Sequence, residues 1–213
     1  MTGPQESMTR RVQIASLAAP YLAVSAGMYL FHNAWVAFIA YHACIVTFLV
    51  VYRKPDLIKK LFCGWNWYVT AVLSVLSAML ILLAVGASQH VMLDSTDLMK
   101  TLSGFGLGNT SFYIFAALFV SVHPVLEELF WRSFHWGPCG TYWPVDIIFS
   151  GYHILVLTFF ITWQGLLLIF AIISLAALLW RFCGQKLNGL ATILFAHIVA
   201  DIAILTSTIL LAN

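Results

Sequence analysis

Apolar residues gather in seven runs, at 14–31, 33–52, 65–87, 111–135, 145–162, 165–183 and 190–211. Each is about as long as a helix must be to cross a bilayer, roughly 17–25 residues. The chain is 62% hydrophobic and only 8% charged, whereas a soluble domain keeps about 25% charged residues for its surface. A water-soluble globule is therefore excluded. The expected fold is all-α: a polytopic membrane bundle of about seven transmembrane helices. Residues 1–110 would form an N-terminal three-helix region with an external loop, and 111–213 a four-helix core, joined in one integrated membrane domain.

The first segment, MTGPQESMTRR, is polar and leads into an apolar run with no small-residue cleavage site, so the run is expected to be a span rather than a signal peptide. Polar connections fall at 53–64, 88–110, 136–144 and 184–189, and only TWQG separates the fifth and sixth runs. The glycine-rich stretch LMKTLSGFGLGNT, 98–110, is expected to dip into the membrane interface. The sequence carries no evident internal repeat. Orientation follows from lysine and arginine. With a cytoplasmic N-terminus, Arg10, Arg11, Arg53, Lys54, Lys59, Lys60, Arg132, Arg181 and Lys186 lie at the cytoplasmic side. Only Lys100, near Asp94 and Asp97, lies outside, and the C-terminus is external. Cys44, Cys63, Cys139 and Cys183 show no metal-type spacing and are expected to be unpaired thiols.

Ionisable residues inside spans are costly, about +2.5 to +3.5 kcal/mol each on the insertion scale, and normally face the bundle interior. Helical rise puts Glu127 and His153 each about 12 Å, and His197 roughly 10 Å, from the cytoplasmic face. Asp201 follows His197 by one turn on the same helix face. Four such residues from three helices at similar depth point to one site. Glu128 and Arg132, four apart, can pair on a helix face and reduce each other's burial cost. Glu127 has His123 and Trp131 as its neighbours at four-residue spacing, and no arginine. One glutamate is thereby committed to structure, and the other is left for general-base chemistry. Pro124 removes a backbone donor just upstream and is expected to bend the helix.

Glu127-Glu128-x-x-x-Arg132, Phe149-x-x-x-His153 and His197-x-x-x-Asp201 occur in that order on separate spans. Together they resemble the EExxxR, FxxxH and final His-x-x-x-Asn/Asp motifs of the CAAX prenyl protease type II and bacteriocin-processing (CPBP, Abi) family. The resemblance covers about 111–205. It implies an intramembrane endopeptidase of the glutamic type whose site opens to the cytoplasm. Glu127 would activate a water that His153 holds and polarises, and His197 with Asp201 would stabilise the oxyanion. Glu128, Arg132 and Phe149 would support them. The resemblance implies no cofactor and no metal. Its expected partners are the lipid bilayer and a membrane-associated peptide or protein substrate, with C-terminal processing of a lipidated or membrane-anchored peptide as the activity. No nucleic acid is expected, and the oligomeric state is not legible. A bacterial cytoplasmic membrane is the implied location. Prenyl protease members carry Asn where this chain has Asp201, which is expected to act as a neutral hydrogen-bond donor.

Three other readings compete. In a zinc protease, Glu127, His153 and His197 would be ligands around an open position. A proton-coupled transporter would use the same residues as a relay, and a bacteriocin-immunity protein would use them for no chemistry. Among the remaining histidines, His42 is expected to be a locally satisfied polar group, His123 to stand behind Glu127, and His32, His90 and His135 to sit at interfaces. Trp65 and Trp67 fit an interfacial belt, and Arg181 is expected to snorkel from a helix end.

Overall fold

The computed structural model describes residues 10–52, 56–86, 98–135 and 139–212. Arg53, Lys54, His90, Asp94 and Asp97 lie outside the described residues, as do the side chains of Arg10 and Cys139. What is described is helical, with no strand. The protein is a multi-pass membrane protein. Five helical stretches are long and apolar enough to cross a membrane: Arg11–Leu30, Ala34–Val51, Thr110–Phe134, Trp163–Lys186 and Ala191–Leu211. Two shorter apolar ones, Trp67–Leu83 and Trp143–Leu157, take the third and fifth places.

In chain order, α1 spans Arg10–Ser25 and continues as a π-helical turn, Ala26–Leu30. Then come α2 (Ala34–Val51), the short α3 (Leu57–Leu61) and α4 (Trp67–Gly86). Another short helix, α5 (Leu98–Gly104), precedes α6 (Thr110–Ser121). Next is α7 (His123–Glu127), which runs into a π-helix over Glu128–Phe134. The last three are α8 (Cys139–Leu157), α9 (Trp163–Lys186) and α10 (Ala191–Ala212). The fifth run expected to reach 162 stops at Leu157, because Thr162 accepts from the Gly165 amide and caps α9.

Backbone contacts between connections tie the bundle together at two places. At one, the Ala34 amide donates to the Phe105 carbonyl at 2.9 Å, and Phe105 packs edge-on against Phe159 at 4.8 Å. The glycine-rich segment therefore folds back onto the bundle end. At the other, the Leu190 and Ala191 amides, which have no partner within α10, donate to the carbonyls of Lys60 and Cys63 at 2.8 and 2.9 Å. A Cβ on Gly189 would lie 2.2 Å from the Cys63 carbonyl carbon, so only glycine lets the two backbones meet there. That crossing fixes where α10 starts, and so the height of His197. Free thiols at Cys44, Cys63 and Cys183 match expectation, and Trp65 and Trp67 are exposed, as a belt requires.

The N-terminal and C-terminal spans interleave. α4 packs along α10, α1 lies against both α2 and α8, and α2 touches α7. Residue Gly27 approaches Ala37 so closely that a Cβ would fall 2.3 Å from its Cα. The α1–α2 hairpin is consequently tight enough to bring α2 against the motif helix.

One expectation fails here. Arg181 does not snorkel: it is only 2% exposed. Its Nε bonds Asp146 Oδ2 at 2.5 Å, and its other nitrogens donate to the carbonyls of Trp131 (2.8 Å) and His135 (3.1 Å). The π-helix accounts for this. Its wider turn changes which carbonyls find an in-helix amide, and the guanidinium takes two carbonyls near its end. His135, expected at a membrane interface, is packed inside the bundle. It is buried, with Nε2 3.4 Å from Ser16 Oγ on α1.

Candidate active site

Where Pro124 was expected to bend the helix, the helix is interrupted: α6 ends at Ser121 and α7 starts at His123, with the proline in its first turn. All seven residues of the π-helix that follows are buried. Glu128 and Arg132 remain one turn apart within it, and Arg132 donates to Glu128 Oε1 at 2.8 Å. The Arg132 guanidinium also lies 4.6 Å from the Phe149 ring centroid and 5.3 Å from that of Trp180, so aromatic faces supply part of what water would. Phe149 thus has two jobs, a ring for Arg132 and a carbonyl for His153 Nδ1 at 3.0 Å.

Glu128 does more than pair with Arg132. Its Oε1 also receives His197 Nδ1 at 2.8 Å. A carboxylate has no hydrogen to give, so Nδ1 carries the proton and the ring is held with Nε2 pointing the other way. His197 Nε2 faces Glu127 Oε2 at 3.6 Å and Asp201 Oδ1 at 3.8 Å. The carboxylate that orients His197 is therefore Glu128, while Asp201 stands beside Nε2.

Glu127 is fully buried, and its two oxygens differ. Oε1 receives the hydroxyls of both Tyr41 and Tyr152. The direction at Tyr41 is forced: the Trp131 indole, a donor only, gives its Nε1–H to Tyr41 at 2.9 Å, so the single phenolic hydrogen goes to Glu127. Trp131 also lies parallel to Tyr152, with 8° between the rings. Oε2 makes no hydrogen bond and faces two imidazoles, His123 Nε2 at 3.5 Å and His197 Nε2 at 3.6 Å. This pattern suits a general base. One oxygen is immobilised as an acceptor, and the other is presented to whatever carries the proton.

His153, on α8, reaches this set indirectly. Its Nε2 is 3.1 Å from the Tyr152 hydroxyl that bonds Glu127. The set of Glu127, His153 and His197 that a zinc enzyme would require is thus divided by a phenol. Among the described residues, no group of three or more His, Cys, Asp or Glu side chains is arranged to hold a metal ion.

The four residues expected to carry chemistry and the three expected to support them do converge, and the structure adds others. Tyr41, Tyr152 and Trp131 were not singled out from the sequence. His42 is satisfied locally, as expected, by the Phe38 carbonyl at 2.7 Å, but it also meets His123 Nδ1 at 3.1 Å. His123 stands beside Glu127 itself rather than behind it. Two short stretches nevertheless resemble each other. Phe38-Ile39-Ala40-Tyr41-His42 and Phe149-Ser150-Gly151-Tyr152-His153 share the pattern Phe-x-x-Tyr-His. That pattern was the signal by which Tyr41 was findable.

Comparison with protein-family models, curated proteins and solved structures gives no match to this chain.

Proposed function

We propose that the protein is an intramembrane endopeptidase of the glutamic type, hydrolysing a peptide bond of a membrane-anchored substrate near the cytoplasmic face of a bacterial cytoplasmic membrane. One observation carries the reading: a fully buried glutamate without an arginine or lysine partner among the described residues, with one oxygen tied by two phenols and the other turned to two imidazoles. The three motifs on separate spans support the same chemistry by resemblance. They also suggest C-terminal processing of a lipidated or membrane-anchored peptide.

In this mechanism Oε2 of Glu127 takes a proton from water as the water oxygen bonds to the scissile carbonyl carbon. The oxyanion forms beside His197 and Asp201. Doubly protonated, His197 donates Nδ1–H to Glu128 and Nε2–H to that oxyanion, and Asp201 in its neutral form supplies a second donor. Each such donor is worth about 10²–10³ in rate. Collapse breaks the C–N bond, and Glu127 returns its proton to the leaving nitrogen.

The test uses purified protein in liposomes, mixed with membrane extracts, and reads new peptide termini by mass spectrometry. Cleavages made by the parent and missing with Glu127→Gln are expected. Identical termini from both proteins, or none from either, would sink the proposal.

A further inference from the structure

The two Phe-x-x-Tyr-His stretches support an inference that deepens the proteolysis reading and rests on it for its chemistry. The copies on α2 and α8 meet across Glu127, with the Tyr41 and Tyr152 rings 5.0 Å apart and both hydroxyls on Oε1. In each copy the histidine Nδ1 lies against the carbonyl of its own phenylalanine, at 2.7 Å for His42 and 3.0 Å for His153. A carbonyl only accepts, so Nδ1 carries the hydrogen in both, and at His42 the neutral ring then has Nε2 as its acceptor.

At His42 that acceptor faces His123 Nδ1 at 3.1 Å, so His123 Nδ1 must be the donor. The nitrogen of His123 that faces Glu127 Oε2 at 3.5 Å is then Nε2, without a hydrogen in the neutral ring. Aromatic packing holds both rings in these orientations. Phe38 lies 4.1 Å from His42, and Phe119 stacks on His123 at 4.8 Å with 17° between the planes. Without His42, the other His123 tautomer would donate Nε2–H to Oε2 and occupy the oxygen needed for the base step.

We propose that Phe38–His42 is a second working half of the active site: Tyr41 with Tyr152 holds Glu127 Oε1, and His42 keeps His123 Nε2 as a proton acceptor beside Oε2. The proton taken from water by Oε2 is shared with His123 Nε2, and the imidazolium formed donates more strongly from Nδ1 to His42. When the C–N bond breaks, the same proton passes back through Oε2 to the leaving nitrogen. Water adds across the peptide bond and no other co-reactant is consumed. Tyr41 and His42 are positioning residues, and His123 exchanges a proton with the reacting carboxyl.

The test is substrate-free at its centre. Protein labelled with 15N-histidine is placed in phosphatidylethanolamine–phosphatidylglycerol liposomes, and its imidazole nitrogens are read by solid-state NMR. His123 is assigned by the signals lost in His123→Gln. The parent should show His123 protonated at Nδ1, and His42→Leu should move the proton to Nε2. His42→Gln, whose amide oxygen can accept the same bond, should restore the parent pattern. A parent His123 protonated at Nε2 alone, or a His42→Leu protein with His123 unchanged, overturns the proposal. On the same liposomes His42→Leu should lower kcat roughly 100-fold, the lower edge of what a lost proton-transfer partner costs, with KM little changed and His42→Gln recovering most of the rate. If the parent cleaves nothing while the tautomers behave as expected, the proteolysis reading fails and the histidine pairing stands.

Discussion

Glu128 and Asp146 each meet a guanidinium, at 2.8 and 2.5 Å. Glu127 and Asp201, in the same bundle and as deeply buried, meet none among the described residues. The first two belong to a framework. Arg132 and Arg181 neutralise them, and the remaining donors of Arg181 bind the Trp131 and His135 carbonyls of the π-helical region. Glu127 and Asp201 are surrounded instead by groups that gain or lose protons or give hydrogen bonds: two phenols at Glu127 Oε1, His123 at Oε2, and His197 between the two carboxyls. Under the proposed function, the difference separates groups that hold the fold from groups free to exchange protons. A permanent cation makes a buried carboxylate inert, because abstracting a proton would break the ion pair. A titratable or neutral partner leaves that carboxylate able to act.

Four experiments break or sharpen this contrast. The largest effect is expected at the reactive glutamate. Glu127→Gln should lower cleavage on the order of 10⁴-fold or more, the scale of losing a catalytic group, with yield and unfolding midpoint near the parent's. A Glu127→Gln protein that still cleaves would remove the distinction between the two glutamates.

Next is the framework. Arg181→Met strands Asp146 without its cation and drops two carbonyl contacts, and should cost about 3–5 kcal/mol, as breaking one side of a buried pair does. Denaturant titration in detergent measures it. Because replacing a whole buried pair by apolar residues is often neutral, Asp146→Leu with Arg181→Met should recover most of that loss. Failure to recover would assign the cost to the Trp131 and His135 carbonyls instead.

Asp201 comes third. Asp201→Ala should slow turnover about 10²–10³-fold, the usual cost of one oxyanion donor, and Asp201→Asn should keep most of it, since the amide also donates. An Asn variant as slow as the Ala variant would make Asp201 a charge rather than a donor.

The smallest expected effect is none. Chelators should leave cleavage unchanged, since His153 reaches Glu127 only across the Tyr152 hydroxyl. Activity abolished by a chelator and restored by zinc would turn the reactive cluster into a ligand set.

Much of this contrast was legible before any coordinates. Glu128 and Arg132 pair because four residues make about one helical turn, and that relation survives the π-helix. Glu127, His153, His197 and Asp201 could be assigned to one level because helical rise converts sequence position into depth. Arg181 shows where this logic stops. Five residues from its helix end, it has the place of a snorkelling side chain, and only the rotation of α9 about its axis turns it inward to Asp146 on α8.

The sequence by itself determined the class of the protein and which segments form its apolar helices. Hydropathy and helical pitch are properties of a single segment, and each can be read along the chain. Only the tertiary structure decided which oxygen of Glu127 is free, that Tyr41 and His42 belong to the site, and that Glu128 orients His197. Those contacts join residues 69 to 86 positions apart. They depend on how each helix is rotated and tilted against its neighbours, set by close approaches such as Gly27 on Ala37 and Gly189 on Cys63. An apolar run surrounded by lipid and apolar neighbours carries little signal for its own rotation, so packing had to supply it.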